Sequence, residues 1–345
     1  MNIPGMNIPG MNNSGMNGFD RIGVIGGGAW GTALAALAAG NGDVLLWARN
    51  ADVVADVNGR HRNSLYLPDI ALPASLRATG NLADLAACDA LLLAMPAQSL
   101  RDFAQRIGKQ IGRDKPLLLT AKGIEIATGS LLGQVLAEEL PEAPALVLSG
   151  PTFAAEVARG LPTAITLAGN DAELTAALAA RLSRPTFRPY ASDDPVGAQI
   201  GGAVKNVLAI ACGIVLGRRL GDNARAALIT RGLAEMTRLG LRLGGRMETL
   251  MGLSGLGDLV LTCSGAQSRN LSLGQALGEG ADLVAYRAAR RTVAEGEFTA
   301  TALHGLCARL DIEMPICAAV HAILHQGADI DATIAGLLAR PLKSE

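Results

Sequence analysis

Aromatic residues make up only 3% of this 345-residue chain, and neither sign of charge prevails. Lys and Arg number 30 against 31 Asp and Glu, a formal net charge of −1. Without a general positive field the chain is not built to hold nucleic acid or an anionic membrane, so any phosphate must be met by a few placed cations. Cysteine is sparse as well. Cys88, Cys212, Cys263, Cys307 and Cys317 are odd in number, far apart and form no Cys-x-x-Cys pair. That argues against a disulfide scaffold or a zinc site and for reduced thiols in a cytoplasmic protein. Long uncharged apolar runs of about 18 residues are also missing. The nearest, Val207 to Leu216, is too short and follows Lys205. The mean hydropathy of +0.30 therefore predicts a well-buried fold with no membrane span.

Half of the residues are hydrophobic, chiefly Ala, Leu, Val and Ile, and 42 are Gly, a mixture suited to helices packed closely on a β-sheet. The length suggests about two domains of roughly 150 residues each. The chain opens on MNIPG-MNIPG-MNNSG-MNGFD, a decaying repeat with neither the basic start nor the apolar stretch of a secretory signal. Such a composition cannot bury surface, so residues 1–20 are expected to be a disordered extension. Met16 is an alternative start.

Order begins at Arg21. A short apolar strand ending at Ile25 runs into Gly26-Gly27-Gly28-Ala29-Trp30-Gly31 and then an Ala/Leu helix. Strand, Gly-x-Gly-x-x-Gly and helix in that order read as a dinucleotide-binding turn; the competing reading is a purely structural glycine turn. Gly26 permits the turn, Gly28 lets a pyrophosphate approach the backbone, and Gly31 lets helix and strand pack closely. The next strand, Val44 to Trp47, ends at Arg49, where an acidic ribose ligand would mark an NAD-only site. A cation there suits the 2′-phosphate of NADP; the competing reading is a solvated Arg at a strand end. Further strands at Ala90–Ala94, Leu117–Thr120, Ala145–Leu148 and Ala164–Leu167 alternate with helical stretches. This predicts an α/β, doubly wound parallel sheet of the Rossmann type over residues 21–192. Ligands in such sheets bind at the carboxyl ends of strands, which singles out Lys122 and the segment Ser149-Gly150-Pro151-Thr152.

Near Ser192 the composition changes. Asp193-Asp194-Pro195 reads as a helix start, and residues 193–345 are expected to form an all-helical second domain. Lys205 is set among Gly, Val and Leu on the first of these helices. Burial there would disfavour its charge and lower its pKa toward acid–base use; the alternative is a side chain snorkelling to water. Asp258 opens another helix and could be a simple cap. Arg269, flanked by Ser268 and Asn270, has the donors for a phosphate.

Taken together, Gly26 to Ala35, Ala-Lys122-Gly-Ile-Glu, Ser149-Gly-Pro-Thr-Phe-Ala, Gly202-Ala-Val-Lys-Asn-Val, Asn223 to Met236, Gly255-Leu-Gly-Asp-Leu and Gln267-Ser-Arg-Asn closely resemble the bacterial NAD(P)-dependent sn-glycerol-3-phosphate dehydrogenases. The resemblance runs from about Arg21 to Leu338. It implies reversible reduction of dihydroxyacetone phosphate to sn-glycerol 3-phosphate with NAD or NADP as cofactor, supplying glycerophospholipid synthesis. It implies further that Lys205 is the acid–base residue and that Asp258 orients it or a substrate hydroxyl. Lys122, Gly150, Thr152, Asp258, Ser268, Arg269 and Asn270 would contact the phosphorylated substrate. Gly26, Gly28, Ala29, Trp30, Gly31, Arg49, Lys122, Ala154, Arg269, Val293 and Glu295 would contact the cofactor. No metal is implied.

Two positions depart from the pattern. Ala29 replaces a Ser common in relatives, which removes a hydroxyl and leaves backbone N–H groups to meet the phosphate. Met95-Pro96-Ala97 stands where Val-Pro-Ser is common. A β-hydroxyacid dehydrogenase would share the two-part plan and a helical Lys, but would not need the cluster at 268–270. A silent NAD(P)-binding sensor would tolerate loss of Lys205 and Asp258, and both are present. The Ala-rich helical half could also bury a homodimer seam.

Overall fold

The computed structural model describes residues 18–289 and 294–341. The repeat at 1–17 and the expected cofactor residue Val293 lie outside the described residues. Among the described residues eight strands form one sheet: β1 (Arg21–Ile25), β2 (Asp43–Trp47), β3 (Arg77–Thr79), β4 (Ala90–Leu93), β5 (Leu117–Leu119), β6 (Ala145–Ser149), β7 (Thr163–Ala168) and β8 (Phe187–Ser192). Their order is β3-β2-β1-β4-β5-β6-β7-β8. All neighbouring pairs are parallel except β6 with β7. The sheet is parallel as expected but for this one pair. Central strands such as β4 and β5 are buried on both faces, hence their unbroken Ala/Leu runs. Pro189 is tolerated because β8 is an edge strand.

Helices α1 (Ala29–Ala38), α2 (Ala51–Arg60), α3 (Leu100–Gln110), α4 (Leu132–Glu139), α5 (Ala154–Ala158) and α6 (Ala172–Leu182) belong to this half of the chain. One face of the sheet packs apolar side chains of α1, α2 and α6, and the other those of α3 and α4. The strand order reverses at β1, which has β2 on one side and β4 on the other, and ligands bind in the crevice such a reversal opens.

After β8 the described chain is helical: α7 (Pro195–Gly217), α8 (Gly221–Arg242), α9 (Met247–Met251), α10 (Asp258–Ser264), α11 (Arg269–Gly278), α12 (Leu283–Ala288), α13 (Glu295–Leu310), α14 (Pro315–His325) and α15 (Ile330–Leu338). Asp194 caps α7 by accepting from Gly197 N, and Pro195 occupies its first turn. α7 is the axis of a separate apolar core. It is long and apolar enough to cross a bilayer despite the charge of Lys205 in its middle. Yet 89% of its most apolar window is buried inside the fold.

Helices α7 and α11 meet backbone to backbone. A Cβ on Gly213 would lie 2.1 Å from Leu271 O, and one on Gly274 would lie 1.9 Å from Ile210 O. Gly217 and Gly278, one turn further along each helix, make the same approach. This glycine seam sets the start of α11, and with it Arg269 and Asn270, relative to Lys205.

Candidate active site

The glycine turn fits a dinucleotide. Gly26 has φ +126°, and a Cβ there would come within 2.5 Å of Ala94 O. A Cβ on Gly31 would fall 1.9 Å from Gly26 O, so α1 packs directly on the turn. By contrast nothing lies within 4 Å of a Cβ on Gly28, which precedes α1 and carries no side-chain cap. Open space over uncapped N–H groups at a helix start is the cradle a pyrophosphate needs. Ala29 and Trp30 form the first turn of α1, and the buried indole N–H of Trp30 has no hydrogen-bond partner among the described residues. Arg49 is exposed just beyond the end of β2.

Lys205 sits in the middle of α7 and is 5% exposed. Its ammonium donates to Asp258 Oδ1 at 2.5 Å and to Thr262 Oγ1 at 2.9 Å. Lys122, just beyond β5, donates to Asp258 Oδ2 at 2.7 Å and to Gly150 O at 2.9 Å. One fully buried carboxylate thus holds two ammonium groups, one on each oxygen. Burial pushes the Lys205 pKa down to about 7; Asp258 opposes the shift and Lys122 adds to it. The snorkelling alternative is excluded by this burial.

Asp258 reaches the lysines because of the chain before it. A π-helical turn, Leu253–Gly257, precedes α10, a distortion common at functional sites. Ser254 anchors that turn by donating to Ser149 O at 3.0 Å. A Cβ on Gly201 would meet Ser254 O at 2.2 Å, so α7 and the turn are in direct contact. Asp258 is the first residue of α10, and its side chain serves the lysines, not the helix end.

The residues at the start of α11 have divided tasks. Ser268 caps the helix by accepting from Leu271 N at 3.2 Å. Asn270 donates to Asn206 Oδ1 and accepts from Gly296 N, both at 2.9 Å. Asn206 in turn donates to Lys122 O at 3.2 Å. Ser268 and Asn270 therefore brace the site from within, while Arg269 is exposed. Glu295 opens α13; burial raises its pKa, and the Arg269 charge and the N–H of Ala97 oppose that rise. Gly150 has φ +153°, a Cβ there would lie 3.1 Å from Ile165, and Thr152 donates to Gly150 O at 3.2 Å. Ala154 starts α5.

Lys122, Lys205, Asp258 and Gly150 are brought together by direct hydrogen bonds. Asn270 reaches them through Asn206, and Glu295 faces Arg269. The motif reading did not single out Thr262, Asn206 or Ser254. Thr262 was recoverable, because it lies one helical turn after Asp258.

Two family models match the chain. That of the NAD-dependent glycerol-3-phosphate dehydrogenase N-terminus covers residues 21–175, and that of the C-terminus covers residues 194–335. Glycerol-3-phosphate dehydrogenase [NAD(P)+] of Parvibaculum lavamentivorans is 56% identical over 328 residues, 95% of this chain and 98% of the relative. The crystal structure of glycerol-3-phosphate dehydrogenase from Coxiella burnetii superposes with a TM-score of 0.90 at 41% identity, covering 94% of this chain and 100% of the other. The enzyme of the same name from Saccharomyces cerevisiae gives 0.79 at 28% identity, covering 91% and 98%.

Proposed function

The chain belongs to the NAD-dependent glycerol-3-phosphate dehydrogenase family, and on that premise we propose that Lys205 moves the proton in the reversible reduction of dihydroxyacetone phosphate to sn-glycerol 3-phosphate with NAD(P)H. The observation that carries this reading is the Lys205–Asp258–Lys122 triplet. When bound, the nicotinamide supplies the hydride in reduction and accepts it in oxidation.

An ammonium has three N–H donors. Asp258 and Thr262 take two from Lys205, leaving one for the ketone oxygen. Once that proton has moved to the oxygen, the neutral amine keeps two N–H groups for the same two acceptors and turns its lone pair to the new hydroxyl. The geometry serves both directions without rearrangement. A pKa near 7 poises the group as acid or base. Lys122 likewise has one donor left for the substrate, and its charge supports the developing alkoxide. Arg269 grips the phosphate dianion as a planar fork at the start of α11. Gly150 and Thr152 border the substrate, while Gly28, Ala29, Trp30, Arg49, Ala154 and Glu295 border the cofactor. The reading includes product flow into glycerophospholipids, a cytoplasmic location and a homodimer.

Lys205→Ala tests the assignment. Turnover should fall by at least about 10²–10⁴-fold, with NADPH binding by fluorescence titration nearly unchanged. A folded variant keeping more than about a tenth of normal kcat would remove Lys205 from the chemistry.

A further inference from the structure

Lys122 has a long, flexible side chain on a segment outside regular structure, and what aims it is not itself part of the reacting site. The chain from Ala121 to Ser130, between β5 and α4, is fastened by the stretch that follows β4. Gln98 donates from Nε2 to Ile124 O at 2.8 Å and accepts from Ile126 N at 3.0 Å, taking the place of a neighbouring strand. One turn later Arg101 grips Glu125 with two parallel bonds, Nε to Oε1 and a terminal guanidinium nitrogen to Oε2, each 2.8 Å. Glu125 is 7% exposed and also accepts from Thr128 Oγ1 at 2.6 Å. Between Lys122 and these fastenings Gly123 packs so closely that a Cβ would lie 2.7 Å from that of Ala97.

We propose that Gln98 and the Arg101–Glu125 pair are positioning residues for Lys122, fixing residues 121–126 so that its ammonium meets Asp258 and the substrate. The inference rests on Lys122 contacting the substrate, as read above. The Arg101 charge keeps the Lys122 segment and α4 on one anchor, because it also bonds Glu139 at 2.7 Å and Glu138 at 2.8 Å. Arg101 therefore retains carboxylate partners when Glu125 alone is altered. Arg101 is also the first cause of the lowered Glu125 pKa, so the carboxylate is held charged at neutral pH.

A double-mutant cycle tests this. In the wild-type background Glu125→Gln should lower kcat/KM for dihydroxyacetone phosphate by about tenfold or more, since a misplacement of about 1 Å at a reacting site is worth up to roughly 10²-fold. NADPH affinity should change by less than about twofold. In a Lys122→Ala background the same change should have almost no further effect, because the group it aims is gone. Gln98→Ala, measured the same way, covers the case in which Glu125→Gln does not fold. A large Lys122→Ala defect with equal losses from Glu125→Gln or Gln98→Ala in both backgrounds would overturn the inference alone and reduce these residues to structural supports. A Lys122→Ala enzyme with undiminished kcat/KM would overturn the site reading first, and the inference with it.

Discussion

Burial sets the direction of the Lys205 shift, and with Lys205 as the proposed proton carrier that direction predicts two opposite pH profiles. Burial favours the neutral amine, so the pKa falls from that of an ordinary lysine to about 7. Oxidation needs the amine, and kcat/KM for glycerol 3-phosphate should rise through about pH 7 and level off above it. Reduction needs the ammonium, and kcat/KM for dihydroxyacetone phosphate should fall through the same range. Steady-state rates in both directions check this; two profiles rising together would assign the titration to another group. Arg269 is the second residue on which the substrate assignment depends. A charged hydrogen bond is worth about 1.5–3 kcal/mol, so a bidentate grip on phosphate carries several. Arg269→Ala should cost about 100-fold or more in kcat/KM for dihydroxyacetone phosphate and much less for unphosphorylated dihydroxyacetone. Equal losses on both would assign Arg269 to the cofactor or the fold.

Among the elements, the two glycine devices are separable by measurement. A Cβ on Gly28 meets no protein atom within 4 Å, so Gly28→Ala should keep the wild-type melting temperature while NADPH affinity drops more than about tenfold. Gly274→Ala drives a methyl into Ile210 O, so it should destabilise by about 1–3 kcal/mol or more and raise KM for dihydroxyacetone phosphate by tilting α11 and Arg269. A Gly274→Ala enzyme with wild-type melting temperature and KM would show that the seam can relax. Elements whose signal is local were legible in the sequence: β1 with its glycine turn and α1, the Leu-rich central strands, and the Asp194-Pro195 start of α7. Elements whose signal is not local were missed. β3 has three residues and exists because β2 offers it an edge. The antiparallel direction of β7 depends on how the chain returns after α5, which no periodicity records. The start of α11 reads as a polar cluster suited to a phosphate, and only the fold supplies Asn206 and Gly296 as partners for Asn270. Lys205 was legible as an isolated charge on an apolar helix, whereas its bond to Asp258 spans 53 residues and belongs to tertiary structure.

Over the whole molecule, α7 is the element that the rest surrounds. It is buried from Gly197 to Val215 apart from Gln199, packs against the sheet near β6 and β7, and anchors the helical core. Such a helix cannot open while its neighbours stay in place. Backbone amides around Lys205 should exchange with deuterium only through global unfolding, whereas amides of the exposed α15 exchange through small local openings. Exchange at Val204–Leu208 as fast as in α15 would contradict this. Heat or denaturant should then abolish the proton donor only when the entire chain melts, so that inactivation by loss of Lys205 and global unfolding share one midpoint.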